Sequence, residues 1–303
     1  MKLKNTFFLL LTAIIWGFAF TAQKSGMAHV GPYTFNCIRS LLGALFLIPC
    51  IFLLDKFKLS KEKNSSFPLL LTGGIICGIA LAVASSLQQI GICYTEAGKA
   101  GFITACYIII VPIIGIFLRK PWSWLLWIAV LLAVVALYLL CMNPNSNSFD
   151  INELRQFTLS QGDRYVLLCA FVFAVHILVV DFFAPKMDCI KLSCIQFFTV
   201  AVLCGFMMFK NEGCPSWSAL KSCYIPILYA GIMSSGIAYT LQILGQKNYN
   251  PTIASIIMSL ESTFAVIGSW LLLDERLSRR QLYGCAIMFV AIILAQIPSK
   301  KLM

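Results

Sequence analysis

The chain has 303 residues, 60% of them hydrophobic and 12% charged, with a mean hydropathy of +0.87. That composition excludes an ordinary soluble globular domain. The formal net charge of +11 would suit a nucleic-acid binder, but most charges fall in short segments between apolar runs, where they act as topology signals.

A bilayer core takes roughly 20 apolar residues per helical crossing. Ten such runs follow one another, over residues 6–22, 32–54, 68–93, 97–118, 122–141, 164–183, 190–209, 223–245, 251–273 and 281–296. No segment between them is long enough to fold as a soluble domain. The expected fold is an all-α membrane protein of ten transmembrane helices.

The first run follows Lys2 and Lys4 and imitates a secretory signal. Trp16-Gly17 interrupts it and no convincing small-residue cleavage site follows, so it reads as the first span. Trp16 lies too deep for an interfacial belt and shares a helical face with Thr12, Ala19 and Gln23. It is either cavity wall or plain helix packing. Arg39, seven residues into the second run, needs an anion or a carbonyl cluster, and a substrate carboxylate is one such anion.

The third run carries Gly74, Gly78, Ala82 and Ser86 at every fourth position, a row that permits close backbone approach. Such a row serves sliding helices or static packing equally. Gln88 stands late in the same run. In the fourth run Lys99 is expected to snorkel to the interface, and Tyr107 offers aromatic surface with a hydroxyl. The polar stretch 143–163 is the expected linker. It divides the chain into a first repeat (1–141), a linker (142–163) and a second repeat (164–303).

In the sixth run His176 lies near mid-depth, as a substrate or proton ligand or as a satisfied packing residue. The eighth run repeats the small-residue row with Ala230, Ser234 and Ala238, followed by Tyr239 and Gln242. Glu261 lies ten residues beyond Pro251, hence about 15 Å into the ninth run. Ionisable groups at a helix centre cost about 2.5–3.5 kcal/mol on insertion scales. A carboxyl kept there serves as a proton carrier, as a counter-ion for a substrate amine, or as a structural acid bonded to a neighbour.

With both termini on the cytoplasmic side, the inside segments of the first half carry Lys2, Lys4, Lys56, Lys58, Lys61, Lys63, Arg119 and Lys120, against Lys24 and Lys99 outside. That bias orients the first half, although the second half reverses it. Five spans is an odd number, so a second copy in tandem enters the membrane inverted. Two offsets relate the halves. Ala13, Trp16, Gly17 and Arg39 align at 157 with Ala170, Phe173, Ala174 and Gln196. Leu87, Gln88, Gly91, Ala100 and Tyr107 align at 154 with Leu241, Gln242, Gly245, Ala254 and Glu261. Inverted symmetry sets Gln88 and Gln242 toward opposite faces, where they act as gates or as static helix glue.

Catalytic signatures are lacking. The Gly98-Lys99 pair has no glycine five residues earlier, and neither HExxH nor a nucleophile elbow occurs. Only His29 and His176 represent histidine, and the thirteen cysteines form no CxxC pair, so neither a metal nor another cofactor is expected.

The runs Ile15-Trp16-Gly17-Phe18-Ala19-Phe20, Gly31-Pro32 through Arg39, and Thr95-Glu96-Ala97-Gly98-Lys99-Ala100-Gly101-Phe102-Ile103-Thr104 resemble EamA-type members of the drug/metabolite transporter superfamily. So do Ser259-Leu260-Glu261 and Leu272-Leu273-Asp274-Glu275-Arg276-Leu277, with Gly284 following. The resemblance implies two inverted five-helix repeats around a central cavity and export of small metabolites, commonly amino acids. Where that family often has Glu-Pro in the ninth span, this chain has Glu261-Ser262, which weakens the expectation of a kink. After the fourth span Arg119-Lys120 replaces the family's Glu-Arg.

The expectation is a plasma-membrane carrier, monomeric or homodimeric, exporting by alternating access. Trp16, Tyr107, His176, Tyr239 and Glu261 would contact the solute, Gln88 and Gln242 would gate, and Arg39 would meet an anion. The proton is the candidate coupling ion, and no nucleic acid is involved. The rivals are a cationic drug exporter that uses Glu261 and a channel, which lacks a filter-like loop here.

Overall fold

A computed structural model describes residues 2–57, 66–95, 97–120, 123–141, 160–273 and 278–297. Most of the expected linker, the side chain of Lys99 and residues 274–277 of the resemblance lie outside the described residues. The described chain is helical: α1 (Lys2–Gly26), α2 (Pro32–Lys56), α3 (Phe67–Tyr94), α4 (Ala97–Ala105), α5 (Tyr107–Phe117), α6 (Trp124–Cys141), α7 (Gln161–Phe183) and α8 (Cys189–Asn211). Beyond these come α9 (Trp217–Ser222), α10 (Tyr224–Leu228), a π-helical stretch (Tyr229–Ala238), α11 (Tyr239–Gln246), α12 (Pro251–Met258), α13 (Glu261–Leu273) and α14 (Arg279–Gln296).

Among the described residues, six helical segments are long and apolar enough to cross a membrane: Leu3–Gly26, Pro32–Lys56, Phe67–Tyr94, Gln161–Lys186, Cys189–Asn211 and Tyr224–Gln246. Shorter apolar helices cover Ile103–Phe117, Trp124–Leu139 and Pro251–Ile267. The chain is an integral, multi-pass membrane protein. Its polarity is inverted relative to a soluble domain: Leu45, Phe52, Ile79, Val202 and Phe206 are exposed, whereas Thr12, Asn36, Gln89, Gln196 and Gln246 are buried. Hydrocarbon accepts the apolar side chains, and the polar ones turn inward, away from it.

Capping side chains start several helices. Ser160 and Asp163 form a capping box at α7, Asp188 accepts from Ile190 N and Lys191 N at α8, and Ser278 with Gln281 forms a second box at α14. α2 has no side-chain cap of its own behind Gly31. Glu212, at the end of α8, does that work from another helix, accepting from Tyr33 N at 2.9 Å, Thr34 N at 2.8 Å and Thr34 Oγ1 at 2.7 Å.

The fourth and ninth expected spans are each divided into two helices, α4/α5 and α12/α13, and the divisions match. Cys106 N bonds Ile103 O, and Leu260 N bonds Ile257 O, so both turns tighten to an i→i+3 pattern. The weakened expectation of a kink at Glu261-Ser262 is corrected here: the helix breaks at Ser259-Leu260 without a proline. Ser259 Oγ bonds Ile256 O at 2.8 Å, diverting a backbone carbonyl into a local side-chain bond.

α2 packs on α8, α3 on α7 and α8, α6 on α14, and α1 on α13 and α11. Glycines set the closest approaches. A Cβ at Gly78 would lie 2.5 Å from Thr199 Cβ, and one at Gly43 would lie 3.0 Å from Gly231 O. Gly91 meets Gly162 and Val166 of α7, while Gly245 meets Asn5 and Leu9 of α1. Positions 91 and 245 are 154 apart, and 5 and 9 precede 162 and 166 by 157. The same contact therefore occurs twice, once in each combination of halves.

Polar ties join the halves at both faces of the bundle. On the face where α1 begins, Asn5 Nδ2 donates to Gly245 O and Lys247 O, Lys191 pairs with Asp55 at 2.9 Å, and Lys120 pairs with Asp181. Arg119 adopts a left-handed φ of 55° and Lys120 N bonds Gly115 O, closing the turn that carries Lys120. On the opposite face Glu212 caps α2, and Thr95 Oγ1 donates to Asp163 at 2.7 Å.

Candidate functional site

Between the halves lies a narrow cavity, with about 30 Å³ open to the centre of a water-sized sphere. Its wall is formed by Trp16, Phe20, Gln23, Arg39, Gln88, Thr104, Tyr107, Phe173, Ile177, Ser234, Tyr239, Gln242, Met258 and Glu261. Seven of the eight residues singled out from the sequence are among them.

The two offsets organise this wall. Trp16 and Phe20 correspond at 157 to Phe173 and Ile177; Gln88, Thr104 and Tyr107 correspond at 154 to Gln242, Met258 and Glu261. The lining residues that lack a partner in the wall are Gln23, Arg39, Ser234 and Tyr239. The offset already aligned Trp16 with Phe173 in the sequence, and applied to Phe20 it gives Ile177. Thr104 and Ser234 stand out only as members of a family-like run and of a small-residue row, and Met258 not at all, because a small or apolar side chain inside an apolar run looks like packing.

Tyr107 and Glu261 open the two half-helices α5 and α13, and they meet. Tyr107 Oη donates to Glu261 Oε1 at 3.2 Å, with both side chains buried. The matching breaks thus bring together two residues 154 apart in the chain. A carboxyl on the first residue of α13 also faces the positive end of that helix's dipole.

Arg39 is buried, and its Nε donates to Asn36 Oδ1 at 2.9 Å. Gln88 Nε2 donates to Thr104 Oγ1 at 3.4 Å. Tyr239 is the aromatic centre of the wall: its ring lies 4.6 Å from that of Trp16 and 5.3 Å, edge-on, from that of Phe197. The π-helical stretch ends immediately before Tyr239, and π turns recur where a helix is distorted to aim a functional side chain. The indole Nε1 of Trp16 and the amide oxygens of Gln23 and Gln242 are buried without a hydrogen-bond partner among the described residues.

His176 stands apart from the wall. Its ring lies 6.3 Å from that of Tyr239, and its Nε2 shares a hydrogen bond with Gln196 Oε1 at 2.9 Å. Gln88 lies six residues from the end of α3 and Gln242 four from the end of α11, toward opposite faces. Both nonetheless line the one cavity, which extends from one to the other.

A polytopic helical bundle with a polar cavity between two related halves has the form of a membrane transport protein. The EamA-like transporter family matches residues 3–142 and 160–296, and the chain belongs to it. Among its relatives is an uncharacterised transporter of Archaeoglobus fulgidus, 28% identical over 95% of this chain and 84% of that protein. Another is the uncharacterised transporter YoaV of Bacillus subtilis, 19% identical over 94% of each. A solved crystal structure superposes with a TM-score of 0.76 over 98% of both chains at 14% identity, a likeness of fold alone.

Proposed function

We propose that this protein is a secondary carrier that exports a small metabolite, an amino acid or a similar solute, by alternating access through the cavity. In this reading ten helices form two inverted five-helix repeats, 1–141 and 164–303, joined by a linker. Both termini lie in the cytoplasm and the chain sits in the plasma membrane. The observation that carries the reading is the symmetric wall, in which pairs related by 157 or 154 residues face one solute space. Inverted halves give two conformations of similar energy, one open to each side, with the solute near the midplane. Trp16, Tyr107, Tyr239 and Glu261 contact the solute, Gln88 and Gln242 close the two ends, and His176 supports Tyr239 from behind. Glu261 has no cationic partner among the described residues, and this favours a cationic drug exporter as the second reading.

Counterflow in proteoliposomes tests both. Purified protein is loaded with each amino acid against a labelled pool, and with organic cations in parallel. Accumulation with an amino acid, cut about tenfold or more by Glu261→Gln and far less by His176→Ala, is the expected result. Accumulation with cations alone would replace this reading by the second. Flux that does not saturate would indicate a channel.

A further inference from the structure

Each contact between the halves has a counterpart position, 157 residues away for the first two spans of a half and 154 for the third and fourth. Inverted repeats reach their second conformation when each half takes the shape that the other has now. A tie made at both counterpart positions therefore persists through the exchange. A tie made at one position alone breaks, and its counterpart closes on the opposite face.

Several ties are made twice. Asp55, near the end of α2, pairs with Lys191 in the first turn of α8. Glu212, just beyond the end of α8, accepts from Thr34 in the first turn of α2. Asp55 maps to Glu212 and Thr34 to Lys191 at 157, so this is one clasp repeated at opposite faces. Thr95 Oγ1 donates to Asp163, and Thr6 Oγ1 shares a hydrogen bond with Tyr249 Oη at 2.9 Å. Here Thr6 maps to Asp163 at 157 and Thr95 to Tyr249 at 154. The close approaches at Gly91 and Gly245 repeat in the same way. All of these join α1, α2 and α3 to α7, α8 and α11.

Contacts with the remaining helices are one-sided. Gln88 of α3 bonds Thr104 of α4, but the counterparts are Gln242 and Met258, and a thioether is only a weak acceptor. Lys120, beyond α5, pairs with Asp181 of α7. The counterpart of Asp181 is Lys24, which donates to Ile92 O and Thr95 O of its own half. α1 passes so close to α13 that a Cβ at Gly17 would lie 2.5 Å from Phe264 Cβ. The counterpart of Gly17 is Ala174, whose Cβ holds α7 farther from α5. These remaining helices also cohere among themselves. Tyr107 and Glu261 are each other's counterparts, so their bond lies on the symmetry axis, and α6 packs on α14.

We propose that the moving boundary does not run between the two halves. It separates a fixed frame, α1–α3 with α7, α8, α10 and α11, from a rocking arm, α4–α6 with α12–α14. Lys120–Asp181 locks the arm to the frame on the face where α1 begins. The cavity lies on this boundary, with Thr104, Tyr107, Met258 and Glu261 on the arm and its other wall residues on the frame. The inference rests on the alternating-access reading above and names its moving parts.

The test reads the access of a thiol reagent to Gln242→Cys in lipid nanodiscs, where both faces meet solvent and no flux is needed. The probe is a charged methanethiosulfonate, and the mass of the peptide carrying position 242 separates its reaction from that of native cysteines. Adding Asp181→Asn breaks the lock and should raise the labelling rate about tenfold or more. A carbodiimide then joins Lys191 to Asp55 as an amide, and Thr34→Lys lets it join position 34 to Glu212. Linked peptides prove both bonds and show that the frame is folded. With α2 and α8 tied at both ends, labelling should match that of an Asp55→Asn control, lacking Thr34→Lys, that cannot be tied. A tied protein labelled about tenfold more slowly than this control would overturn the frame, because the halves themselves must then part. Asp181→Asn without any rise in labelling would overturn the lock. Labelling that survives tying, in a protein without counterflow, would uphold frame and arm and sink the transport reading. Counterflow abolished by the ties would do the reverse.

Discussion

Gly17 sits where α1 crosses the start of α13, and a single methyl group there should be felt at Glu261. A Cβ added at Gly17 would lie 2.5 Å from Phe264 Cβ and 2.8 Å from both Ala265 N and Glu261 O. Carbon contacts are comfortable near 3.5–4.0 Å, so the two helices must part by about 1 Å. Two of the three obstructing atoms are backbone and cannot rotate away. Overpacking of this kind costs about 1–3 kcal/mol, while alanine in place of glycine returns about 1 kcal/mol of helix propensity. Gly101→Ala in α4 separates the two terms, because the nearest atom to its added Cβ is Ser262 Oγ at an easy 4.0 Å. The propensity gain is common to both variants, so their difference isolates the clash at about 1–3 kcal/mol. Thermal unfolding in detergent, followed by a thiol-reactive fluorophore on buried Cys77, Cys169 and Cys204, reads it directly. At roughly 2–4 °C per kcal/mol, Gly17→Ala should unfold several degrees below Gly101→Ala. Equal midpoints, or a higher one for Gly17→Ala, would refute the close approach of α1 to α13.

Glu212→Ala removes the carboxylate that caps α2 from the opposite half, and should cost about 1–2 kcal/mol. Faster hydrogen exchange confined to the amides of Tyr33 and Thr34 would mark that cause, and unchanged exchange there would deny it. The Lys120–Asp181 pair should respond unequally, because the Asp181 side chain is 7% exposed and that of Lys120 35%. Lys120→Met strands a buried anion at about 3 kcal/mol, whereas Asp181→Asn leaves a lysine able to reach water and should cost less. Lys191→Met, which breaks a pair exposed on both sides, should fall within about 1 kcal/mol of wild type. Unfolding midpoints in the reverse order would contradict the burial on which this ranking stands.

Much of the cavity wall was legible before any coordinate. Hydrocarbon excludes unpaired polar groups, so Trp16, Arg39, Gln88, Tyr107, Tyr239, Gln242 and Glu261, deep inside apolar runs, had to turn toward protein. The offsets of 157 and 154 added which residues correspond. The breaks in the fourth and ninth expected spans were not legible in the same way. The family's usual proline cue is missing after Glu261, and the turn is made by a serine hydroxyl and an i→i+3 bond at Ser259-Leu260.

The apolar runs alone determined that this is a helical membrane protein, because a bilayer dictates how long a crossing must be and what it must exclude. Tertiary structure decided that Tyr107 reaches Glu261, that Arg39 lines the same cavity with its Nε on Asn36, and that His176 stands next to Tyr239 outside the wall. Those outcomes depend on how each helix is rotated about its axis, about 100° per residue. In a run that is apolar on both its lipid and its protein side, periodicity does not specify that rotation. Contacts with neighbouring helices do, such as Tyr107 with Glu261, 154 residues away.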